Sequence, residues 1–180
     1  MSANNFQAAM DFIWAPDRDG AKNDSAPGEQ FATAYGVTQM TWDSAVADGI
    51  VSGALADATK DQCEAIYRAR YWNALHASSL QDGVDLMMFN SAVLAGAGHA
   101  AKLLQRIVGA EQDGAIGPDT LRHANSFGVK ALIDAIADGD VTFFASLASA
   151  PLFLKGWTRR EKAAQQLAYR MARITPGVSA

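Results

Sequence analysis

The stretch VDLMMFNSAVL, from Val84 to Leu94, sets the terms for the rest of this chain. Its apolar residues do not line up along one stripe; they cover most of the circumference of a helix, which leaves no face to give to water. It is also far short of the about 20 apolar residues that cross a bilayer. A helix of this kind has to be surrounded by other elements of its own protein. Other segments carry apolar faces of their own. Phe6, Ala9, Met10 and Ile13 share a face of a first helix ending near Trp14, and Ala100, Leu103, Leu104 and Ile107 share another. Ala164, Leu167, Ala168 and Met171 do the same near the C-terminus. No segment sustains the period-2 alternation of a half-buried strand, so the expected class is mainly α.

Start and stop signals divide the chain further. Pro16 ends the first helix. Thr41 is expected to cap a second, TWDSAVADG, which stops at Gly49. Thr59 opens a third through the capping box TKDQ, with Gln62 in the return position, and this helix carries Cys63, Ile66, Tyr67 and Arg70 towards Tyr71 and Trp72. Leu75 to Gly83 reads as a largely polar connection. The GAG turn at 96–98 leads into a helix over His99–Val108. GAGHAAK has the look of a phosphate loop but lacks the GK[ST] ending and follows no strand, so a tight helix–helix joint is the reading adopted. Pro118 suits a first helical position after the turn Asp113–Gly117. Two short helices are expected over Val129–Ala137 and Val141–Ala148. Thr158 would open the last one through a second capping box, TRRE, with Glu161 reaching back.

With 180 residues and 49% hydrophobic content, the chain can bury a real core as one domain or two small ones. Its one cysteine, Cys63, permits no internal disulfide and suits a small buried position. His76, His99 and His123 lie far apart with no neighbouring ligand at metal spacing, so neither a metal nor another cofactor is expected. A net charge of -4 argues against nucleic acid as the main partner. The charge is uneven, however. Lys155, Arg159, Arg160, Lys162, Arg170 and Arg173 stand against Glu161 alone, a balance suited to weak contact with an anionic surface or equally to a solvated helix face. MSANNFQAAMDF has neither a basic region nor a continuous apolar run, so synthesis in the cytoplasm without a signal peptide is expected.

The chemistry-bearing residues gather in FIWAPDRDGAKNDSAPGEQFATAYGVT, Phe12 to Thr38. Pro16, Gly20, Pro27 and Gly28 prevent a helix there, so Asp17, Asp19, Asp24 and Glu29 sit on an irregular loop before Thr33, Tyr35 and Gly36. Such a loop can present a general acid and a second carboxylate to one substrate bond. Solvated caps and Asx-turns are the plainer reading of the same residues.

Several segments, in order, resemble the muramidases of glycoside hydrolase family 108, which join a lysozyme-like part to a helical peptidoglycan-binding region. ATAYGVTQMTW at 32–42 is similar to the family's Thr-x-x-Gly-Ile-Thr element, and SAPGE at 25–29 to the loop before it. YWNAL at 71–75 and DGVDLMMFNSAV at 82–93 resemble the middle region. GHAAKLLQRIVGAEQDGAIGPDTL at 98–121 is similar to the Leu-Gln…Asp-Gly…Ile-Gly-Pro-x-Thr signature, and GWTRRE at 156–161 to the closing Gly-Trp…Arg element. Two elements depart. The family's Glu-Gly-Gly has no counterpart; counting from Phe6 puts its glutamate position on Asp17, with Asp19-Gly20 the nearest acid–glycine pair. Its Asn-Ser-Gly-Pro is replaced by Leu94-Ala95-Gly96-Ala97.

The resemblance implies a lysozyme-like helical fold with two lobes and a catalytic-type loop after the first helix. The expected division is a muramidase region over 1–94 and a peptidoglycan-binding-like region over 95–176, with one compact body as the alternative. It implies a glycoside hydrolase that cuts glycan strands of peptidoglycan with a protonated carboxyl and a second carboxylate. Asp17 is the assigned acid and Asp19 its rival, Asp24 the second carboxylate, and Glu29 a replacement acid, with Thr33 positioning a water. Tyr35, Trp42 and Tyr71 are candidate sugar-stacking rings, each also an ordinary core residue by type. The protein is expected to act as a monomer, on the cell wall, delivered by a holin, lysis or another route. Two other readings compete: a peptidoglycan-binding or phage structural protein that kept the fold without the glutamate, and a helical interaction protein unrelated to walls.

Overall fold

A computed structural model describes residues 4–15 and 33–175. These residues form a mainly α fold of the lysozyme-like type. In chain order they are α1 (Asn4–Ile13), a small antiparallel hairpin of β1 (Thr33–Ala34) and β2 (Val37–Thr38), α2 (Gln39–Ala47), α3 (Lys60–Tyr67), α4 (Val84–Ala95), α5 (Ala97–Val108), α6 (Pro118–Ser126), α7 (Val129–Ser146) and α8 (Ala150–Met171). The hairpin pairs Thr33 with Thr38 and Ala34 with Val37.

The helix that water could not accept is the hub. Every residue of α4 from Val84 to Ala92 is buried, and α1, α5, α7 and α8 all pack against it. On the α1 side, Phe6, Trp72 and Phe89 meet edge-on, with ring centroids 5.3, 5.9 and 5.5 Å apart. Gly83 starts α4 at φ 87, and a Cβ there would lie 2.4 Å from the Ala168 carbonyl oxygen. Glycine is needed twice over, for the backbone angle and for the approach of α8.

Four local expectations are corrected. Thr38, not Thr41, caps α2: its Oγ accepts from the Thr41 amide at 3.3 Å, because the strand ends one residue before the helix starts. Leu75–Gly83 is no polar connection, since Leu75, Ala77 and Leu80 are buried under a short 3-10 turn at Ala77–Ser79. The two short helices are one, α7, which runs through Gly139. Glycine inside a helix costs about 1 kcal/mol relative to alanine, but here a Cβ would lie 2.5 Å from Leu103 Cδ1. The last helix begins at Ala150 with Pro151 in its first turn, so Thr158 lies mid-helix and caps nothing. The third-helix capping box, by contrast, forms as read: Thr59 Oγ accepts from the Gln62 amide at 3.3 Å while Gln62 Oε1 accepts from the Thr59 amide at 3.0 Å.

Glu161, freed from capping, is 1% exposed and turned into the bundle. Asn90 on α4 donates to it at 2.5 Å, and Arg160 Nε donates back to Asn90 Oδ1 at 2.9 Å. Beside it Ser91 donates to Asp140 at 2.9 Å, and His99 Nε2 stands 3.6 Å from the same carboxylate. Burial, and then the charge of Asp140, push the Glu161 carboxyl up to about 8; Arg160 and the Asn90 bond pull the other way. At neutral pH this glutamate is therefore mostly protonated.

Candidate active site

The site is built where α1 ends and the hairpin begins, the two ends of the described structure that the acidic segment 16–32 joins in sequence. Trp14, one residue past α1, donates its indole N–H to the Tyr35 carbonyl at 3.2 Å. Tyr67, at the end of α3, donates its hydroxyl to the same oxygen at 3.1 Å. Tyr35 and Gly36 are the two turn residues between the strands, with φ 51 and 78. A two-residue hairpin turn asks for positive φ at both positions, which Gly36 takes freely and a bulky tyrosine does not. Two donors on one carbonyl hold that strained turn in place.

Around this carbonyl the rings pack into an aromatic wall, with Trp14 and Tyr67 buried in the core and Tyr35 and Tyr71 half-buried at its outer edge. Trp14 lies 6.0 Å from Tyr35 and meets Tyr67 edge-on at 5.9 Å, and Tyr67 lies 5.7 Å from Tyr71. Lys60 sits 4.7 Å over the Trp14 ring, a cation on an aromatic face. Behind the hairpin, Cys63 donates its thiol weakly to the Ala34 carbonyl at 3.5 Å, and burial raises that thiol to about 11, so it stays an inert packing residue. The backbone of α3 widens into a π-helical turn over Arg68–Asn73, an irregularity that often marks functional positions. That turn carries Arg70 and Tyr71 into an open groove with Met40, Thr41 and Ser44, of about 340 Å³. Arg70 is fixed there by Ser44 at 2.8 Å and Asp48 at 2.5 Å.

The candidate residues separate accordingly. Asp17, Asp19, Asp24 and Glu29 lie outside the described residues. Thr33 is 9% exposed at the start of β1. Tyr35 and Tyr71 are half-buried on the aromatic wall. Trp42 is in the core instead, 1% exposed, with its indole N–H donating to the Gly53 carbonyl at 3.0 Å. Reading the sequence missed Lys60 and Tyr67 as parts of this wall, although the signal was there. Lys60 and Tyr67 are seven residues apart on α3, and Cys63, Tyr67 and Tyr71 repeat at four, so they share one side of the helix.

The Asp-Gly…Ile-Gly-Pro-x-Thr segment has a structural explanation. Gln105, 1% exposed, donates to Asp113 at 2.6 Å and to the Ala115 carbonyl at 3.0 Å, and accepts from the Gly114 amide at 3.0 Å. Asp113 in turn accepts from the Ala115 amide at 2.9 Å. This clamp folds the turn between α5 and α6, with Gly114 at φ 82 and Ile116 buried beneath it. Among the described residues no group of three or more His, Cys, Asp or Glu is arranged to hold a metal.

Residues 16–96 match the family model described as Glycosyl hydrolase 108, and residues 99–162 the one described as Predicted Peptidoglycan domain. The solved structure of SagA from Brucella abortus is similar along the whole length: TM-score 0.84 and 29% identity, over 97% of this chain and 99% of that one. No functionally curated protein matches the chain. The two family models stand in the order expected from the sequence, and at family level they assign hydrolysis or binding of peptidoglycan. The chain is thus similar to glycosyl hydrolase family 108 over 16–96, with a region similar to a predicted peptidoglycan domain after it.

Proposed function

We propose that the protein is an N-acetylmuramidase that binds a peptidoglycan glycan strand against the half-buried rings of Tyr35 and Tyr71, which the buried Trp14 and Tyr67 hold from behind. A carboxyl from the loop between α1 and β1 serves as its general acid. The observation that carries this reading is the double hydrogen bond of Trp14 and Tyr67 onto the strained Tyr35 carbonyl. Fixed rings beside the acid-bearing segment supply what glycosidic cleavage requires: Tyr35 and Tyr71 offer apolar faces for sugar rings, and the buried Trp14 and Tyr67 add an apolar surround that keeps a carboxyl protonated. Asp17 is the proposed acid, with Asp19 and Glu29 as rivals, Asp24 as the second carboxylate and Thr33 as a ligand of the attacking water.

A second reading, a binder without catalysis, is favoured by one observation. The family's Glu-Gly-Gly has no counterpart, and its glutamate position falls on Asp17, whose side chain is one methylene shorter. A misplacement of about 1 Å can cost a catalyst on the order of a hundredfold. Incubation with purified sacculi, followed by mass spectrometry of the released fragments, separates the two. New reducing-end muramic acid, lost in one of Asp17→Asn, Asp19→Asn or Glu29→Gln, supports the muramidase. Anhydro ends would replace hydrolysis by a lytic transglycosylase step. Co-sedimentation with sacculi and no release would leave a binding protein.

A further inference from the structure

The outer face of α8 is unlike the rest of this acidic chain. Leu152, Lys155, Arg159 and Lys162 follow one another at spacings of three, four and three, so they form a single stripe about 15 Å long. Leu152, at the head of the stripe, is 81% exposed, while Phe153 turns to another side of the helix, its ring 5.6 Å from Trp157. Pro151, Leu154, Lys155, Thr158, Arg159 and Lys162 line an open trough of about 670 Å³ that contains no acidic side chain. The one acid of the helix, Glu161, is buried on the opposite side against Asn90 and offsets nothing at the surface.

We propose that this face of α8 docks on an anionic lipid surface. The partner's chemistry follows from what the stripe contains. Three cations in a row ask for a plane of phosphates. The exposed leucine at the head of the stripe asks for apolar material just beneath that plane, which a phospholipid interface offers and a carboxylated sugar polymer does not. With the whole chain at net charge -4, attraction has to come from this local patch and not from the overall field. No helix among the described residues is long and apolar enough to cross a membrane, so the contact lies on the surface.

The test is co-sedimentation of the full chain with phosphatidylglycerol-containing vesicles and with pure phosphatidylcholine vesicles, at low and high salt. Binding is expected to the anionic vesicles alone and to be released by salt. Each basic residue near such a surface is worth on the order of fivefold in partitioning, so Lys155→Glu/Arg159→Glu/Lys162→Glu should weaken it on the order of a hundredfold or more. Leu152→Ser should weaken it several-fold without changing its salt dependence. Should charge reversal lower the melting temperature, the glutamine series Lys155→Gln/Arg159→Gln/Lys162→Gln reads the same loss on a folded protein. The proposal is overturned by absence of binding to anionic vesicles, by equal binding to neutral ones, or by unchanged binding of both triple variants. Vesicles ignored while the same variants lose binding to sacculi would also overturn it, and would give the stripe to a wall polymer.

Discussion

Asn90 and Glu161 are 71 residues apart in sequence and joined by a 2.5 Å hydrogen bond in the middle of the bundle, tying α4 to α8. Glu161 is held mostly uncharged at neutral pH by burial and by the nearby Asp140, and it accounts for a pH dependence of folding.

An acid whose folded pKa is raised binds more protons in the native state than in the unfolded one. For Glu161, raised from 4.5 to about 8, the native state is therefore favoured at low pH and loses that advantage as pH rises through this range. Asp85, raised from 3.8 to about 6 mainly by burial, adds the same sign over a lower window. Thermal unfolding should show stability falling between roughly pH 5 and 9. Glu161→Gln, neutral throughout, should flatten the upper part of the slope and melt higher than wild type at pH 9. An unchanged slope in the variant would refute the assignment.

Gly83→Ala should be among the most damaging single-methyl additions. The new Cβ would face the Ala168 carbonyl at 2.4 Å on a backbone held at φ 87. Overpacking and left-handed strain each cost about 1–3 kcal/mol. A loss of about 3 kcal/mol or more in urea unfolding is expected, with α8 shifted away from α4.

Gln105→Ala removes the centre of the clamp at Asp113, Gly114 and Ala115. Leaving these partners without it should cost about 1–3 kcal/mol. Amide exchange should rise first in the turn between α5 and α6. If the variant instead keeps its stability and loses only sacculus binding, the signature serves the ligand directly.

Tyr67→Phe leaves the Tyr35 carbonyl with the Trp14 donor and keeps the aromatic wall. Loss of one hydrogen bond should cost about 1 kcal/mol. Sacculus turnover, under the proposed function, should fall more than sacculus binding, because Tyr35 and Tyr71 remain to stack while the anchor of the hairpin turn loosens. Equal losses in both would remove the hairpin turn from the machinery.

How far the sequence could be read depended on how local each signal was. TKDQ formed its capping box and Pro118 opened α6, because a cap is decided within four residues. TRRE carries the same pattern and caps nothing, since Pro151 starts that helix two turns earlier and α4 offers Glu161 a buried partner in Asn90. Gly139 reads as a break and is a point of contact with Leu103. Trp42 and Tyr71 are both aromatics near the hairpin, yet one is sealed in the core and the other lies on a groove.

By itself, the sequence determined the helical class, the buried helix at Val84–Leu94 and the likeness to family 108, because periodicity, caps and motif spacing are properties of neighbouring residues. Only the tertiary structure decided which charges stay charged, which glycines are spacers, and that Trp14, Tyr35 and Tyr67 meet at one carbonyl oxygen. Those outcomes depend on burial and on contacts between residues distant in the chain, and both come into being only when the helices close around α4.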